Sequence, residues 1–284
     1  MPRVIGKEAR VAYGGVGAKD LPIVTLLSDF GLRDPYVASM KGVILSICRK
    51  AQIVDITHDI AKFNILQGAY VFAATIPYFP LGATHVAVVD PGVGTNRKAL
   101  LVRTKRSHLL GPDNGVLMLA GLREGIERVF EISNRGYMLD EVSQTFHGRD
   151  VFCAAAAHLA NGTPVEDFGP ETNDYIQPEF SRSSITKDEL SGHAIYVDGF
   201  GNIVTNITSR DVAEFGVTYG STIRVRIGFA ARKMKFSATY GDVDVGEHLA
   251  LIGSSGFLEI SVNRGNAASI HNAEEGIRVS VSRS

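Results

Sequence analysis

The chain has 284 residues, of which 45% are apolar and 21% are charged, and its formal net charge is −1. This near-neutral balance excludes a global electrostatic field that would recruit nucleic acid or an anionic membrane, so any ligand must be recognised locally. The two cysteines, Cys48 and Cys153, lie in apolar helical patterns and are predicted to be reduced core residues, as in a cytosolic protein.

Residues 1–20 mix charges with glycines and lack the apolar centre of a secretion signal, so we expect a loose extension. No later apolar stretch has the length of a membrane span. The sequence therefore favours a cytoplasmic protein.

Residues 21–175 alternate short apolar runs with helical patterns. Strands are predicted at 22–29, 52–56, 85–89, 99–104 and 108–110, and helices at 35–46, 65–75, 116–123 and 151–161. Continuous apolar strands in this rhythm are typical of an α/β domain with a mostly parallel sheet and helices on both faces.

The pattern changes after about residue 180. Apolar and polar residues alternate at 194–197, 222–227, 233–236, 258–262 and 277–281, with glycine-rich turns between them. This period of two predicts antiparallel strands with one solvated face. We expect a linker at 176–189 and a small all-β domain at 190–284, either a barrel or a sandwich.

Three polar residues in the first two thirds of the chain stand where a predicted strand or helix begins or ends. Asp90 ends the third strand, Arg97 closes the glycine-rich loop that follows, and His147 precedes the last helix. Such ends line the ligand crevice of α/β proteins. A carboxylate, a guanidinium and an imidazole can together hold and activate a water molecule.

Asp29 follows the first strand, and Asp34 lies five residues later. A carboxylate at a strand end can bind a ribose diol, because it accepts two hydroxyl protons at once. The alternative is a helix N-cap, which suits Asp34 before Pro35.

The segment Asp55–Asp59 invites a metal hypothesis through its carboxylates and His58. A metal needs three or more converging ligands, whereas an extended chain directs His58 and Asp59 to opposite sides. We predict neither a metal nor an organic cofactor. A metal-dependent nucleotidase that uses Asp29, His58, Asp59 and Asp90 remains an alternative.

Three turns of the second half are rich in asparagine, serine and glycine. They lie at 198–206, 254–256 and 263–268. Each one is compatible with a plain hairpin turn, but three in one small domain predict a recognition rim.

Six ordered blocks of the sequence together resemble the S-adenosyl-L-methionine (SAM) hydroxide adenosyltransferases, whose relatives include the SAM-dependent fluorinase and chlorinase. The resemblance covers nearly the whole chain beyond residue 20. It is carried by Ser28–Gly31, Val89–Arg97, Gly111–Gly115, Phe146–Asp150, Asp198–Asn202 and Asn266–Ala268.

The resemblance implies a Rossmann-like N-terminal domain and a C-terminal β-barrel domain. It also implies a homotrimer that binds SAM between the N-terminal domain of one subunit and the C-terminal domain of a neighbour. The implied reaction is hydrolysis of SAM to adenosine and L-methionine by an activated water at the ribose C5′, with no cofactor.

In the N-terminal domain, the resemblance assigns the attacking water to Asp90, Arg97 and His147. Asp29 matches the ribose-binding carboxylate, and Phe63 falls where the halogenases carry a tryptophan beside the sugar.

In the C-terminal half, Asp198 and Ser254 match positions that hold the methionine end of SAM, and Ser255 replaces an arginine of the halogenases. Asn202 and the backbone near Ala267 match adenine contacts. Tyr240 matches an aromatic residue against adenine.

The same positions favour hydrolysis over halogenation. The halogenases carry hydroxyl-bearing and apolar groups where this chain has Asp90 and His147, and Gly148 replaces a halide-contacting serine of the fluorinase. A halide about 4 Å from a carboxylate meets a repulsion of roughly 4 kcal/mol at an effective dielectric near 20, which Arg97 would offset only in part. A halogenase and a non-catalytic SAM or adenosine sensor remain alternatives to the hydrolase.

Overall fold

A computed structural model describes residues 21–283, so the extension predicted at 1–20 lies outside the described residues. The chain divides into two compact units between Pro178 and Glu179, within the segment 176–189 that was predicted as a linker.

The first unit is built on a six-stranded sheet in the order β2-β1-β3-β5-β4-β6. Its strands are β1 (Ile23–Ser28), β2 (Gln52–Thr57), β3 (Thr84–Val88), β4 (Ala99–Thr104), β5 (His108–Pro112) and β6 (Ile126–Glu131). β1 runs parallel to β2 and β3, and β3 runs parallel to β5, whereas β4 is antiparallel to both of its neighbours. The mostly parallel sheet is confirmed. β6 was not predicted, because this edge strand carries charged residues that break the apolar pattern.

Helices cover both faces of this sheet. They are α1 (Tyr36–Ile47), α2 (Ile65–Thr75), α3 (Met118–Glu124) and α4 (Ala154–Ala160). α1 packs against α4, and α2 packs against α3. Leu26 of β1 shares a core cluster with Met40 of α1, whereas the adjacent Leu27 faces Gly68 of α2. Successive residues of a strand point to opposite faces, which explains why both are buried.

The sheet has a topological switch point between β1 and β3. β2 flanks β1 on one side and β3 flanks it on the other, so the chain leaves β1 and β3 in opposite directions. Ser28 at the end of β1 is in register with Val88 at the end of β3. Asp29 and Asp90 therefore emerge at the same edge, where open α/β sheets form their ligand crevice.

The second unit is a closed barrel rather than a sandwich. Its strands are β7 (Ser184–Ile185), β8 (Leu190–Val197), β9 (Ile203–Thr208), β10 (Thr222–Ile227), β11 (Ala230–Phe236), β12 (His248–Ile252), β13 (Phe257–Val262) and β14 (Arg278–Arg283). The order β14-β10-β11-β12-β13-β9-β8 closes through pairing of β14 with β8, and β7 extends β8. Two short helices, α5 (Ser209–Glu214) and α6 (Ala267–His271), complete the unit.

The barrel corrects two details of the sequence analysis. It is not wholly antiparallel, because β11 and β12 pair in parallel, which the long connection over 237–247 permits. Thr205 and Asn206 lie inside β9 rather than in a turn. Both are buried, and they donate hydrogen bonds to the carbonyls of Leu258, Phe180 and Arg182, which satisfies polar groups inside a strand.

Both cysteines are free and buried, as predicted. Within residues 21–283, no helix has the length and apolar character required to cross a membrane.

Candidate active site

Arg97 joins Asp90 and His147 into one hydrogen-bonded cluster. Its Nε donates to both carboxylate oxygens of Asp90, at 3.0 and 3.1 Å, and its Nη2 donates to Oδ2 at 2.5 Å. The same Nη2 lies 2.8 Å from Nδ1 of His147. The Arg97 and Asp90 side chains are only 10% and 4% exposed, so this ion pair is largely shielded from water. The guanidinium also lies over the ring of Phe152.

The loop that bears Asp90 and Arg97 is held in place by contacts to its backbone. The Asn114 side chain donates to the carbonyl of Val89 at 2.8 Å, which fixes the residue just before Asp90. Gly94 has φ of +78°, and a Cβ there would collide with the carbonyl oxygen of Gln144. Only glycine permits this close approach, which brings the loop against the segment that carries His147.

His147 stands at the start of a π-helical turn, Gly148–Cys153, that leads directly into α4. Within this turn the fully buried Asp150 accepts the backbone N–H of Ser143 at 2.8 Å and pairs with Arg149. π-turns are rare and often occur at functional sites. Here the turn fixes the direction in which the chain presents His147.

The contact with Arg97 determines the tautomer of His147. A guanidinium can only donate, so Nδ1 of His147 accepts, and the proton of the neutral ring is on Nε2. Burial lowers the pKa of His147, the charge of Arg97 lowers it further, and Asp90 opposes the shift. The cluster therefore presents a carboxylate acceptor and an imidazole N–H donor on one cation.

Asp29 lies at the end of β1 and is nearly buried. Its Oδ2 accepts the backbone N–H of Phe63 at 2.9 Å, and its carbonyl accepts a hydrogen bond from Lys62. The Phe63 side chain is 67% exposed. Asp34, in contrast, is exposed in the loop before α1 and does not cap it, since Pro35 occupies the N-cap position.

An aromatic cluster connects the Asp29 turn to the His147 segment. The rings of Phe30, Tyr36 and Phe146 lie 5.2 to 5.8 Å apart. A Cβ at the buried Gly148 would lie 3.4 Å from both Phe30 and Val88, so a larger side chain has little room there. The first unit thus brings Asp29, Asp90, Arg97, His147 and Gly148 to one edge of its sheet.

The residues of the metal hypothesis have other partners. His58 contacts Ser28 at 2.7 Å and Asp55 at 3.1 Å, while Asp59 is exposed. Among residues 21–283, no three His, Cys, Asp or Glu side chains are arranged to hold a metal ion.

In the second unit, Asp198 organises its own turn. Its Oδ1 accepts the backbone N–H groups of Phe200 and Asn202, both at 2.9 Å, and its Oδ2 accepts the Asn202 side chain at 2.8 Å. Asn202 is only 6% exposed, whereas Phe200 is 81% exposed. The turn is therefore a rigid, locally hydrogen-bonded element.

This turn contacts the start of α6. The carbonyl of Gly201 accepts the N–H of Ala268 at 2.9 Å, and Asn266 caps the helix through Ser269. Gly201 has φ of +83°, and a Cβ there would collide with the Asn266 side chain. Ala267 is fully buried beside these residues.

Tyr240 is fixed by Glu259, a residue that the sequence analysis did not single out. The Tyr240 hydroxyl donates to Glu259 Oε1 at 2.5 Å, and Ser261 donates to the same oxygen at 2.9 Å. Burial raises the pKa of Tyr240, and the charges of Glu259 and Asp198 raise it further. The sequence did offer one signal for Glu259, since a carboxylate stands inside the mostly apolar strand β13.

The predicted residues Ser254 and Ser255 lie in the turn between β12 and β13. The preceding Gly253 packs against the Glu259 carboxylate. The second unit thus joins the turn of Asp198 and Asn202 to the helix start at Ala267 through the neighbouring Gly201 and Ala268. The Glu259 carboxylate lies between Tyr240 and Gly253, the residue before the serine turn.

Two family models match nearly the whole described chain. Residues 24–169 match the N-terminal domain of the SAM hydroxide adenosyltransferases, and residues 192–280 match their C-terminal domain.

Relatives extend over most of this chain. A protein of Methanocaldococcus jannaschii named (R)-S-adenosyl-L-methionine hydrolase is 38% identical, over 89% of this chain and 93% of its own length. One of the same name from Thermus thermophilus is 37% identical, over 90% of this chain and 98% of its own length. A fluorinase of Actinopolyspora mzabensis is 28% identical, over 93% of this chain and 98% of its own length.

A solved structure has the same fold. It is the crystal structure of an uncharacterized conserved protein from Thermotoga maritima, with a TM-score of 0.81 and 37% sequence identity. The match covers 92% of this chain and all of the other.

Proposed function

Because the chain belongs to the SAM hydroxide adenosyltransferase family, we propose that it hydrolyses S-adenosyl-L-methionine to adenosine and L-methionine. The observation that carries this proposal is the Arg97-bridged cluster of Asp90 and His147 at the switch point of the sheet. The relatives named as SAM hydrolases, at 35–38% identity, support the same reaction more closely than the fluorinase at 28%.

The chemistry requires one nucleophile and no acid. The water oxygen attacks the ribose C5′, and the C5′–S bond breaks with its electron pair going to sulfur. The sulfonium thereby leaves as the neutral thioether of methionine. The protein must place the water in line behind C5′ and accept its proton, which is largely a matter of positioning.

Asp90 is the proton acceptor in this scheme. It accepts the proton of the water while the C–O bond forms, since a positioned base contributes typically about 10²–10⁴-fold to a rate. Arg97 holds the carboxylate at both oxygens, and such bidentate pairing fixes its orientation. His147 offers its Nε2 proton to the water oxygen, because Nδ1 faces the guanidinium.

The remaining residues bind the substrate. Asp29 accepts the two ribose hydroxyls, and Phe63 lies beside the sugar. Asp34 contributes from the outer end of the loop that follows Asp29. Gly148 lines the pocket of the attacking water. The turn and helix start around Asn202 and Ala267 bind adenine, together with Tyr240. Asp198, Ser254 and Ser255 bind the methionine end.

We further propose that the chain forms a homotrimer in the cytoplasm, with the second set of residues supplied by a neighbouring copy. Buried free thiols at Cys48 and Cys153 support a reducing compartment. Light scattering on the purified protein tests the assembly: a monomeric mass would contradict it.

Chromatography of the products formed from SAM tests the reaction. We expect adenosine and methionine in equal amounts, with and without a chelator. Asp90→Asn should lower the rate by about 10²–10⁴-fold. Asp188→Asn, at an exposed position, should leave it unchanged.

Each alternative predicts a different result. Equal rates for wild type and Asp90→Asn would remove Asp90 from the chemistry. A 5′-halogenated adenosine formed in the presence of halide would indicate a halogenase. Loss of activity with the chelator would indicate a metal-dependent nucleotidase, and SAM that is bound but intact after hours would indicate a sensor.

A further inference from the structure

A buried serine–histidine pair lies directly beneath Asp29. Ser28 Oγ and His58 Nδ1 are 2.7 Å apart, with Ser28 0% and His58 3% exposed. On its other side, His58 Nε2 lies 3.1 Å from Asp55 Oδ1, although the N–H does not point straight at that oxygen. Asp55 in turn pairs with Lys41 at 2.6 Å, where both side chains are about one-third exposed. The contacts form a continuous line from the surface to the end of β1.

The hydrogen bonds indicate where the protons lie. The Asp55 carboxylate can only accept, so in the neutral ring of His58 the proton is on Nε2, which faces Asp55. Nδ1 then accepts the hydroxyl proton of Ser28, whose Oγ in turn accepts the backbone N–H of Phe30 at 3.3 Å. Burial alone would raise the pKa of Asp55, but the hydrogen bond from Lys41 and the nearby His58 outweigh it and hold that pKa below its usual value.

His58 also joins the two loops that hold Asp29. Its carbonyl accepts the N–H of Gly31 at 2.7 Å, which closes the turn after β1 onto the end of β2. A few residues later, the N–H of Phe63 donates to the Asp29 carboxylate. Phe63 has φ of +66°, a conformation that is costly for an aromatic residue and persists only where its surroundings enforce it.

We propose that His58 is a positioning residue that fixes the Asp29 carboxylate for the ribose hydroxyls, acting through Ser28 and the loop of Phe63. Ser28 is not a nucleophile in this arrangement, because its hydroxyl is fully buried and engaged with His58. The identity of the sugar rests on the proposed function. The contact network does not.

The expected signature is a change in substrate binding rather than in chemistry. Asp29 would bind the ribose equally in the ground state and the transition state, so its displacement raises KM and leaves kcat nearly unchanged. Hydrogen bonds to charged groups change affinity by about 10–100-fold when they are lost.

Two substitutions separate the two sides of the imidazole. Asparagine can place an oxygen near the position of Nδ1 and keep the contact with Ser28, whereas glutamine reaches toward Asp55 and loses that contact. We expect His58→Gln to raise KM for SAM by about 10-fold, and His58→Asn to restore most of the affinity. His158→Gln is the matched control. This half-buried histidine lies in α4 and packs on Tyr137, away from the loops that hold Asp29. Urea unfolding verifies that all variants are folded.

A double-mutant cycle with Asp29→Asn tests the route of the effect. If His58 acts through Asp29, then the second substitution adds little to the first, whereas independent effects add. Additive losses, equal defects in His58→Asn and His58→Gln, or a fall in kcat with unchanged KM would each overturn the proposal.

A binding measurement separates this inference from SAM hydrolysis itself. Calorimetry with adenosine and with 2′,3′-dideoxyadenosine requires no turnover, so it applies even if the protein proves inactive on SAM. We expect wild type to prefer adenosine and His58→Gln to lose about 10-fold of that preference. A preference that is absent in wild type, or unchanged in the variant, would contradict a role of His58 in ribose binding.

Discussion

The two units of the molecule place their polar groups by different means. In the first unit, Asp90 pairs with Arg97 and, through it, with His147, which lies fifty-seven positions further along the chain. In the second unit, the carboxylate of Asp198 is satisfied by Phe200 and Asn202 within its own turn. The Asp90 cluster relies on a contact between separate elements, whereas the Asp198 turn relies on local hydrogen bonds.

This difference reflects what each kind of group can do. A charged cluster assembled from separate elements can hold and polarise a reactive water, but it depends on every element that carries it. A turn that satisfies its own carboxylate is rigid without help, and it presents backbone groups whose positions suit recognition. Under the proposed function the reacting cluster lies in the first unit, whereas the second unit contributes to recognition alone, and substitutions should reveal this division.

Removal of Arg97 should have the largest effect. Arg97→Ala leaves the Asp90 carboxylate buried without its partner, which typically costs about 3–5 kcal/mol of stability. The free energy of unfolding from urea titration measures this loss. Arg97→Lys, which keeps the charge but not the fork of donors, should retain more stability and still lose activity. If Arg97→Ala were as stable as wild type, then the pair would not be the buried unit described above.

Gly94→Ala should rank second. The new Cβ would collide with the carbonyl of Gln144, so the loop must move away from the His147 segment. A displacement of about 1 Å in a catalytic group can lower the rate by about 10²-fold. Gly82→Ala is the matched control, because it has a similar φ of +80° but no atom within 4 Å of the new Cβ.

Both glycine variants should lose about 1–2 kcal/mol of stability from the left-handed backbone. Only Gly94→Ala should lose kcat as well. Equal activity of the two variants would show that contact between the loop and the Gln144 segment does not position the cluster.

Gly201→Ala applies the same test to the barrel. Its Cβ would collide with the side chain of Asn266, which caps α6 beside Ala267. Because this unit is assigned to recognition, we expect an affinity for SAM about 10-fold weaker, equivalent to about 1.4 kcal/mol, with kcat retained. Gly220→Ala, at φ of +88° in open space, is the control. A loss of kcat without a loss of affinity would abolish the distinction between the two units.

The architecture and the positions of the main polar groups along the chain could be predicted from the sequence. Continuous apolar runs indicated the parallel strands, and strand-end placement indicated that Asp29 and Asp90 share one edge. Both follow from local patterns, since carboxyl ends of parallel strands meet at one edge.

Partners across strands were not accessible from the sequence. Ser28 meets His58 because β1 and β2 lie side by side with a shift of register after Leu26. Tyr240 meets Glu259 because of how the barrel closes. A period of two indicates which face a side chain occupies, but not which residue of another strand lies opposite. For the same reason Thr205 and Asn206 resembled a turn, although carbonyls of other segments satisfy them inside β9.

Changing the pH near neutrality should alter activity least, and this test concerns the Asp90–Arg97–His147 cluster alone. Burial and the charge of Arg97 lower the pKa of His147 from the usual 6.5, so the ring is neutral at pH 7 and accepts from the guanidinium. Protonation of His147 would place a second N–H donor, on a charged ring, against the Arg97 guanidinium. The stability that this contact contributes is therefore complete above pH 6.5 and is lost as the pH falls through the lowered pKa.

We expect kcat/KM to stay within about 3-fold between pH 8 and 6.5 and to fall only below that range. In His147→Asn the amide oxygen can accept from Arg97 without titrating, so this first acid limb should disappear while the activity at pH 7 is lower. A limb that begins above pH 6.5, or one that persists in the variant, would assign the titration to another group and leave the guanidinium–imidazole contact without a functional role.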